Sequence, residues 1–274
     1  MLRLLLCVSV LGYQIAAPLW AVETEGQTTG LEQKFVGLPM KPTVTVSAKK
    51  VRRAQILSGW VLKTLEAEQA KVAVITRKGS PLTVLFDKTG MTHSGFVFRH
   101  PVTGQWITYS LYSDPETGQK TSRLWQQDVE SFYAEQSGRT TDALMLIPTP
   151  ALQEKLLARL TAQPFESLLP KDEHYSLVAP VESPISFNCT KWILLQLFAA
   201  REGSHDSAAL LRQMADEYQE PVTKPFFLVG YVLRKKPDVN WQELTPPNHI
   251  HTVTVNSLYH SSFFVKTLYY HTRK

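Results

Sequence analysis

Two runs of β-forming residues, 92–99 and 105–112, constrain the fold of this chain more than any other feature of its sequence. The five residues between the runs include Pro101 and Gly104, a combination typical of a hairpin connection. Strands joined by a hairpin pair antiparallel. The chain is therefore expected to contain an antiparallel sheet in which these two runs are neighbours.

Elsewhere, apolar residues at helical spacing predict separate helices, and short β-type runs predict further strands. The helices are expected over residues 54–70, 124–135, 149–162, 188–201 and 207–218, and the strands over residues 71–76, 143–147, 226–233 and 251–256. Hairpin-linked strands mixed with separate helices indicate the α+β class, with an antiparallel sheet packed against helices.

The composition predicts one globular domain that follows two shorter segments. Of the 274 residues, 43% are hydrophobic and 19% are charged, as in ordinary globular proteins. Residues 22–50 are rich in Thr, Gly, Pro and Lys and lack periodicity, which predicts a mobile N-terminal arm, with an arm packed on the surface as the alternative. Residues 51–274 are expected to form a single α+β domain.

Residues 1–21 have the pattern of an export signal. Arg3 supplies a positive start, and residues 4–15 are apolar but short for a membrane span. Small residues allow cleavage after Ala21 or after Ala17, and an uncleaved anchor is the alternative. No later stretch is long and apolar enough to span a membrane, so a periplasmic or secreted location is expected.

The charge pattern does not favour a nucleic-acid partner, and the motifs of common cofactor sites are missing from the sequence. The formal net charge is +5, and removal of Arg3 with the signal leaves 5 − 1 = +4. Lys and Arg form only short pairs, which is typical of a solvated surface rather than of a nucleic-acid interface. The sequence also lacks a phosphate-binding glycine loop and a dinucleotide fingerprint, so no cofactor is expected.

Cys189 is the one cysteine left after signal cleavage, because Cys7 lies in the signal. A single cysteine cannot form an intramolecular disulfide, so it is either a small buried hydrophobe or a nucleophile. Ser186 or Asn188 can cap the helix that follows, which puts Cys189 in its first turn. Backbone N–H groups and the positive end of the helix dipole there favour a thiolate and can stabilise an oxyanion.

His93 is the histidine whose context best suits a general base for this thiol. It begins a strand-like run, and Gly95 permits close approach of a backbone or a substrate. The alternative is a core or edge-strand histidine bonded to a backbone carbonyl. His249 and His251 share one face of a predicted strand, but no third ligand follows at convincing spacing, so no metal site is expected.

The segments THSGFVFR, QWITYS and FNCTKW together resemble the circularly permuted branch of the papain-like cysteine proteins. That branch includes the lecithin–retinol acyltransferase group and relatives of the NlpC-type cell-wall peptidases. His93 precedes Cys189, which is the permuted order. The wider pattern over residues 50–258 also resembles a bacterial family of secreted proteins of unknown function.

The resemblance implies a set of site residues: Cys189 as nucleophile, His93 as general base, a third member near Ser110, and Tyr175 as an oxyanion donor. Relatives often place His, Glu or Asn at the third position, so Ser110 departs from the pattern and is a weaker orienting group. The implied function is an exported cysteine hydrolase or acyltransferase acting on an ester, thioester or amide of a small molecule, lipid or cell-wall peptide. The alternative is a catalytically inactive binding or envelope-assembly module on the same fold.

Overall fold

The computed structural model describes residues 38–79, 89–114, 121–137, 141–162, 168–169, 174–218, 222–223, 239–240 and 250–271. All of them fall within one compact unit, residues 35–274. The predicted signal over 1–21, residues 22–37 of the predicted arm and the predicted strand over 226–233 lie outside the described residues.

The described residues form six helices and ten strands, several of them very short. The helices are α1 (Ala48–Ala67), α2 (Val129–Ala134), α3 (Pro150–Leu160), α4 (Cys189–Glu202), α5 (Ser207–Glu217) and α6 (Val255–Tyr259). The strands are β1 (Val72–Arg77), β2 (His93–Arg99), β3 (Trp106–Ser113), β4 (Ser122–Asp128), β5 (Asp142–Pro148), β6 (His174–Tyr175), β7 (Ser186–Phe187), β8 (Val222–Thr223), β9 (Ile250–His251) and β10 (Phe264–His271).

Six of these strands make one antiparallel sheet in the order β10-β5-β1-β2-β3-β4. The hairpin predicted from Pro101 and Gly104 joins β2 to β3, with Phe96 opposite Tyr109. Gly104 has a φ of +67°, a conformation that glycine adopts at no steric cost. The expectation of an α+β fold with an antiparallel sheet packed against helices is confirmed.

Helices cover both faces of the sheet. Apolar side chains of α1 and α2 pack on one face, and those of α3, α4, α5 and α6 pack on the other. Every residue of β1 and β5 is buried, since these strands have a helix layer on each side. Among the described helices, none combines the length and apolarity that crossing a bilayer requires.

Helix α4 is the most deeply buried helix of the described structure. Every residue from Cys189 to Ala200 is buried, as expected for a helix that is apolar around most of its circumference. Trp192 packs edge-on against Phe96 of β2, with ring centroids 5.4 Å apart. Gly203 ends the helix at a φ of +67°.

Two predicted elements are wrong in part. The helix predicted over residues 124–135 is a strand, β4, up to Asp128 and a short helix, α2, only after it. Pairing with β3 overrides the local helical pattern, and the Asp128 side chain caps α2 by accepting from Ser131 N. The strand predicted over 251–256 ends at His251, because Thr254 forms a capping box that starts α6.

The C-terminal strand β10 was not predicted from the sequence. It pairs antiparallel with β5 at one edge of the sheet, and its register shifts between Phe264 and Lys266. At the opposite edge, residues 39–41 exchange backbone hydrogen bonds with Gln126 of β4. Edge strands are half exposed, so they lack the strong apolar signal that buried strands carry.

Candidate active site

Cys189 is the first residue of α4, and its thiol is almost entirely buried. The side chain of Asn188 caps the helix by accepting from Lys191 N at 2.7 Å. The Cys189 sulfur lies 3.9 Å from the Thr92 carbonyl oxygen and 3.8 Å from the Thr190 hydroxyl. The thiol is therefore held between the start of α4 and the entry to β2.

Asn188 also ties two loops to the start of α4. Its Nδ2 group donates to the Leu177 carbonyl at 3.4 Å, the Thr252 hydroxyl at 3.1 Å and the Val253 carbonyl at 3.3 Å. These loops belong to segments far apart in the chain. One amide side chain thus joins the helix start to the segments around Leu177 and around Thr252 and Val253.

A narrow cleft opens in front of the Cys189 sulfur. Its walls come from residues 91–92, from the region around Tyr175 and Leu177, and from residues 252–255. None of the described residues that line it is charged, and its volume is about 30 Å³. Of the predicted site residues, the structure thus brings Tyr175 and Cys189 to the same cleft.

Lys191 was missed by the sequence analysis. It is fully buried one half-turn after Cys189, and its ammonium donates to the carbonyl oxygens of Pro180, Ser183 and Ser186. An ammonium has three N–H donors, so these carbonyls satisfy all of them. The loop before α4 therefore folds around this charge. A lone Lys in a sequence is usually exposed, and no pattern signalled this burial.

His93 points to the face of the sheet opposite α4. Neighbouring side chains in a strand alternate between faces, and Ser94 contacts Thr190 of α4 with oxygen atoms 3.4 Å apart. The His93 ring packs on the other face, with its centroid 4.5 Å from that of Tyr112 and 5.7 Å from that of Phe132. Its Nε2 is buried and has no hydrogen-bond partner among the described residues.

The surroundings of His93 favour its neutral form. Burial lowers its pKa well below the ordinary 6.5, and the positive charges of Arg77 and Lys41 lower it further. A neutral imidazole keeps one nitrogen free to accept a proton. The same surroundings oppose the imidazolium that would form after proton transfer.

A buried polar network surrounds the imidazole. Arg77 donates to the Tyr112 hydroxyl at 3.4 Å and pairs with Glu135 at 3.1 Å. Tyr112 donates to Gln127 at 2.6 Å, and Gln127 donates to Glu135 at 2.9 Å. Lys41 also pairs with Glu135, at 2.5 Å. Glu135 therefore carries the negative charge that offsets two cations.

Ser110 does not stand beside His93. Continuing the β2–β3 register puts Ser110 opposite Gly95 and Tyr112 opposite His93. The Ser110 hydroxyl donates to the Ser94 carbonyl at 3.1 Å, a structural hydrogen bond. Tyr112 was missed, although strand alternation could have found it, since residues 110 and 112 share a face.

The structure leaves the predicted nucleophile and base without a direct hydrogen bond among the described residues. Both nevertheless lie at the end of the sheet where β2 begins, because the sulfur contacts the carbonyl of Thr92, next to His93. Burial, above all, raises the pKa of Tyr112 to about 12 against the opposing positive charge of Arg77, and the negative charge of Glu135 adds to the rise.

No three His, Cys, Asp or Glu side chains within the described ranges group as ligands of a metal ion. His251 lies in β9, and His249 lies outside the described residues.

Comparison with known proteins places this site within a bacterial family. No curated protein and no solved structure matches the chain. A family model described as an uncharacterized protein conserved in bacteria, DUF2145, matches residues 64–225. This stretch covers more than half of the 274 residues and includes all four predicted site residues. The chain belongs to the DUF2145 family of bacterial proteins.

Proposed function

We propose that the protein is an exported cysteine hydrolase or acyltransferase of permuted papain-like type, with Cys189 as nucleophile and His93 as general base. The observation that carries this proposal is the buried Nε2 of His93, which lacks a hydrogen-bond partner among the described residues. Leaving such a group unpaired costs about 1–3 kcal/mol, so its retention calls for a role. The thiol at the start of α4 lies at the same end of the sheet.

The reaction begins when the Cys189 sulfur attacks the carbonyl carbon of an ester, thioester or amide. The thiol proton passes to Nε2 of His93, and the backbone N–H at the start of α4 donates to the oxyanion. The carbonyl then re-forms, and the leaving alcohol, thiol or amine takes the proton from the imidazolium. Water, or an acceptor hydroxyl or amine, finally attacks the resulting thioester and releases the thiol.

Catalysis requires the imidazole to approach the sulfur. His93 is the first residue of β2, and its side chain is buried against Tyr112 and Phe132 on the α2 face. The proposal therefore includes a rotation of the His93 side chain towards Cys189 when substrate binds. Catalytic hydrogen bonds commonly tighten only in the substrate complex. The thiolate then stabilises the imidazolium against the positive charges of Arg77 and Lys41.

The proposal is tested by acylation of the purified mature protein with a panel of activated esters and thioesters, followed by intact-mass measurement. Wild type should gain one acyl group, and Cys189→Ala should gain none. General-base catalysis contributes about a hundredfold or more, so His93→Gln should acylate at least about tenfold more slowly than wild type. His174→Gln is the matched control, since His174 is exposed. Acylation of His93→Gln at the wild-type rate would contradict the proposal.

A second candidate is a catalytically inactive binding or envelope-assembly module. The observation that favours it is the contact of the Cys189 sulfur with the Thr92 carbonyl and the Thr190 hydroxyl rather than with an imidazole. In that case Cys189→Ala should leave the fold and any ligand affinity unchanged. Acyl transfer that depends on both Cys189 and His93 would exclude it.

Export is part of the proposal and rests on residues 1–21. Expression of the full chain in a bacterial host should yield periplasmic or secreted protein whose N-terminus is Val22 or Pro18. N-terminal sequencing of the fractionated protein checks this. Recovery of the chain in the membrane fraction with Met1 intact would indicate an uncleaved anchor instead.

A further inference from the structure

We infer that the cleft in front of Cys189 admits only an uncharged and slender group to the thiol, so that the substrate carries no charge close to its reacting carbonyl. That the group entering the cleft belongs to a substrate rests on the proposed function. The selectivity itself rests on the chemistry and size of the cleft.

The described lining of the cleft offers no charged side chain to a ligand. Apart from Cys189 itself, the described residues that line it are apolar, hydroxyl or amide residues. Several of the hydroxyls already accept hydrogen bonds from the protein: Thr252 accepts from Ala179 N at 3.0 Å, and Thr92 accepts from Gly79 N at 2.9 Å. These contacts hold the walls together and leave little polar capacity for a charged group.

Two buried cations among the described residues around the site, Lys191 and Arg77, already have protein partners. The ammonium of Lys191 is surrounded by the carbonyls of Pro180, Ser183 and Ser186. Arg77 and Glu135 pair with each other on the opposite face of the sheet. An ionic side group that enters the cleft would lose hydration without meeting an oppositely charged side chain among the described lining residues, which is unfavourable.

The size of the cleft sets the second limit. Its volume of about 30 Å³ is about a tenth of that of the smallest pockets that enclose whole organic ligands, whose volumes are roughly 300–1,000 Å³. Only the reacting end of a substrate therefore fits, with the rest of the molecule outside.

Three methanethiosulfonate reagents test this inference on the folded protein. Each transfers a thioalkyl group to the attacking thiolate and releases methanesulfinate, so the leaving group is constant while the transferred group is neutral methyl, anionic sulfonatoethyl or cationic trimethylammonioethyl. The rate of Cys189 with each reagent is divided by the rate of glutathione with the same reagent, which removes differences in intrinsic reactivity. This normalised rate should be at least about tenfold higher for the methyl reagent than for either charged one, since a desolvated charge is costly. Intact-mass spectrometry gives the three rates.

A charge placed at the cleft wall should change this preference. Leu177 lines the cleft and is partly exposed, so a longer polar side chain can be accommodated there. Leu177→Lys should raise the relative rate of the anionic reagent and lower that of the cationic one. Leu177→Gln is the matched neutral control and should keep the wild-type order.

The outcomes separate this inference from the proposed function. Equal normalised rates for the three reagents would overturn the inference. It would also be overturned if the native protein reacted with none of the reagents while the urea-unfolded protein reacted with all three, because the cleft would then admit no group to the thiol. A retained preference for the methyl reagent, together with acylation that does not depend on His93, supports the selective cleft and overturns the proposed base.

Discussion

The two faces of the sheet differ in how they treat polar groups, and the predicted site residues are divided between them. On the α4 face, the described residues that line the cleft beside Cys189 are uncharged, and the buried ammonium of Lys191 is satisfied by backbone carbonyls. On the α2 face, the imidazole of His93 lies beside a network of Arg77, Lys41 and Glu135. Among the described residues, the sheet therefore separates the predicted nucleophile, beside uncharged lining residues, from the predicted base, beside charged ones.

This difference follows from one step along β2. Ser94 faces α4 and His93 faces α2, because consecutive side chains of a strand point to opposite faces. A catalytic pair assembled across such a step needs the terminal residue of the strand to turn. The proposed function thus requires a rotation of His93 from the α2 face towards the α4 face. Substitutions on one face at a time test this difference between the faces.

The largest expected effect is on the α4 face, at Trp192. Its side chain is fully buried against Phe96, and its indole N–H donates to the Leu168 carbonyl at 2.9 Å. Trp192→Ala should lower the free energy of unfolding by about 3–5 kcal/mol through cavity formation. Urea denaturation measures this. Trp192→Phe, which keeps an aromatic ring but loses the hydrogen bond, should cost clearly less, and equal losses would show that ring packing does not stabilise this face.

The next effect is on the α2 face, at Glu135. Glu135→Gln removes the charge that offsets Arg77 and Lys41 and leaves two cations near His93. We expect a loss of about 2 kcal/mol, below the 3–5 kcal/mol of a fully buried pair because Glu135 is partly exposed. The exposed neighbour Glu130 provides the control, since Glu130→Gln should cost about 0.5 kcal/mol or less. Similar losses for both variants would argue against the charged network.

The free energy of unfolding should depend on pH through the imidazole of His93. The pKa of His93 in the folded protein lies well below 6.5, whereas in the unfolded chain it is ordinary, so below pH 6.5 the unfolded state binds the extra proton. Stability from this group is complete above about pH 6.5 and falls by up to about 1.4 kcal/mol per pH unit as the pH drops towards the folded pKa.

Denaturation of wild type and His93→Gln between pH 7 and pH 4.5 measures this contribution as a difference, because all other titrating groups are common to the two proteins. The variant should lose stability less steeply on acidification. Parallel curves would mean that His93 is not held neutral. His174→Gln, which changes an exposed histidine, should give a curve parallel to that of wild type.

The smallest expected effect is that of the Tyr112 hydroxyl. Tyr112→Phe keeps the ring that packs against His93 but removes the hydroxyl that joins Arg77 to Gln127. A loss of about 1 kcal/mol is expected, typical of one hydrogen bond. If Tyr112 positions the imidazole, acylation of Cys189 should also slow and its pH profile should shift. Lost stability with an unchanged profile would leave Tyr112 a structural role only.

The sequence predicted the local elements near the site better than it predicted their assembly. The β2–β3 hairpin follows from Pro101, Gly104 and the β-forming runs around them, and the helix after Asn188 follows from a capping residue before an apolar run. These signals lie within a few residues of one another. The local pattern predicts a helix where β4 lies, because the pairing of β4 with β3 decides its conformation and no local pattern contains that pairing.

For the candidate site, local sequence context singled out Cys189 at a helix start and His93 at a strand start, and the family resemblance implied their roles as nucleophile and base. Only the tertiary structure decided that Ser110 stands opposite Gly95, that Tyr112 stands opposite His93, and that the ammonium of Lys191 is enclosed by carbonyls. Those relations depend on strand register and on contacts between distant segments. Register and long-range packing are set by the burial of the whole core, which a local pattern does not contain.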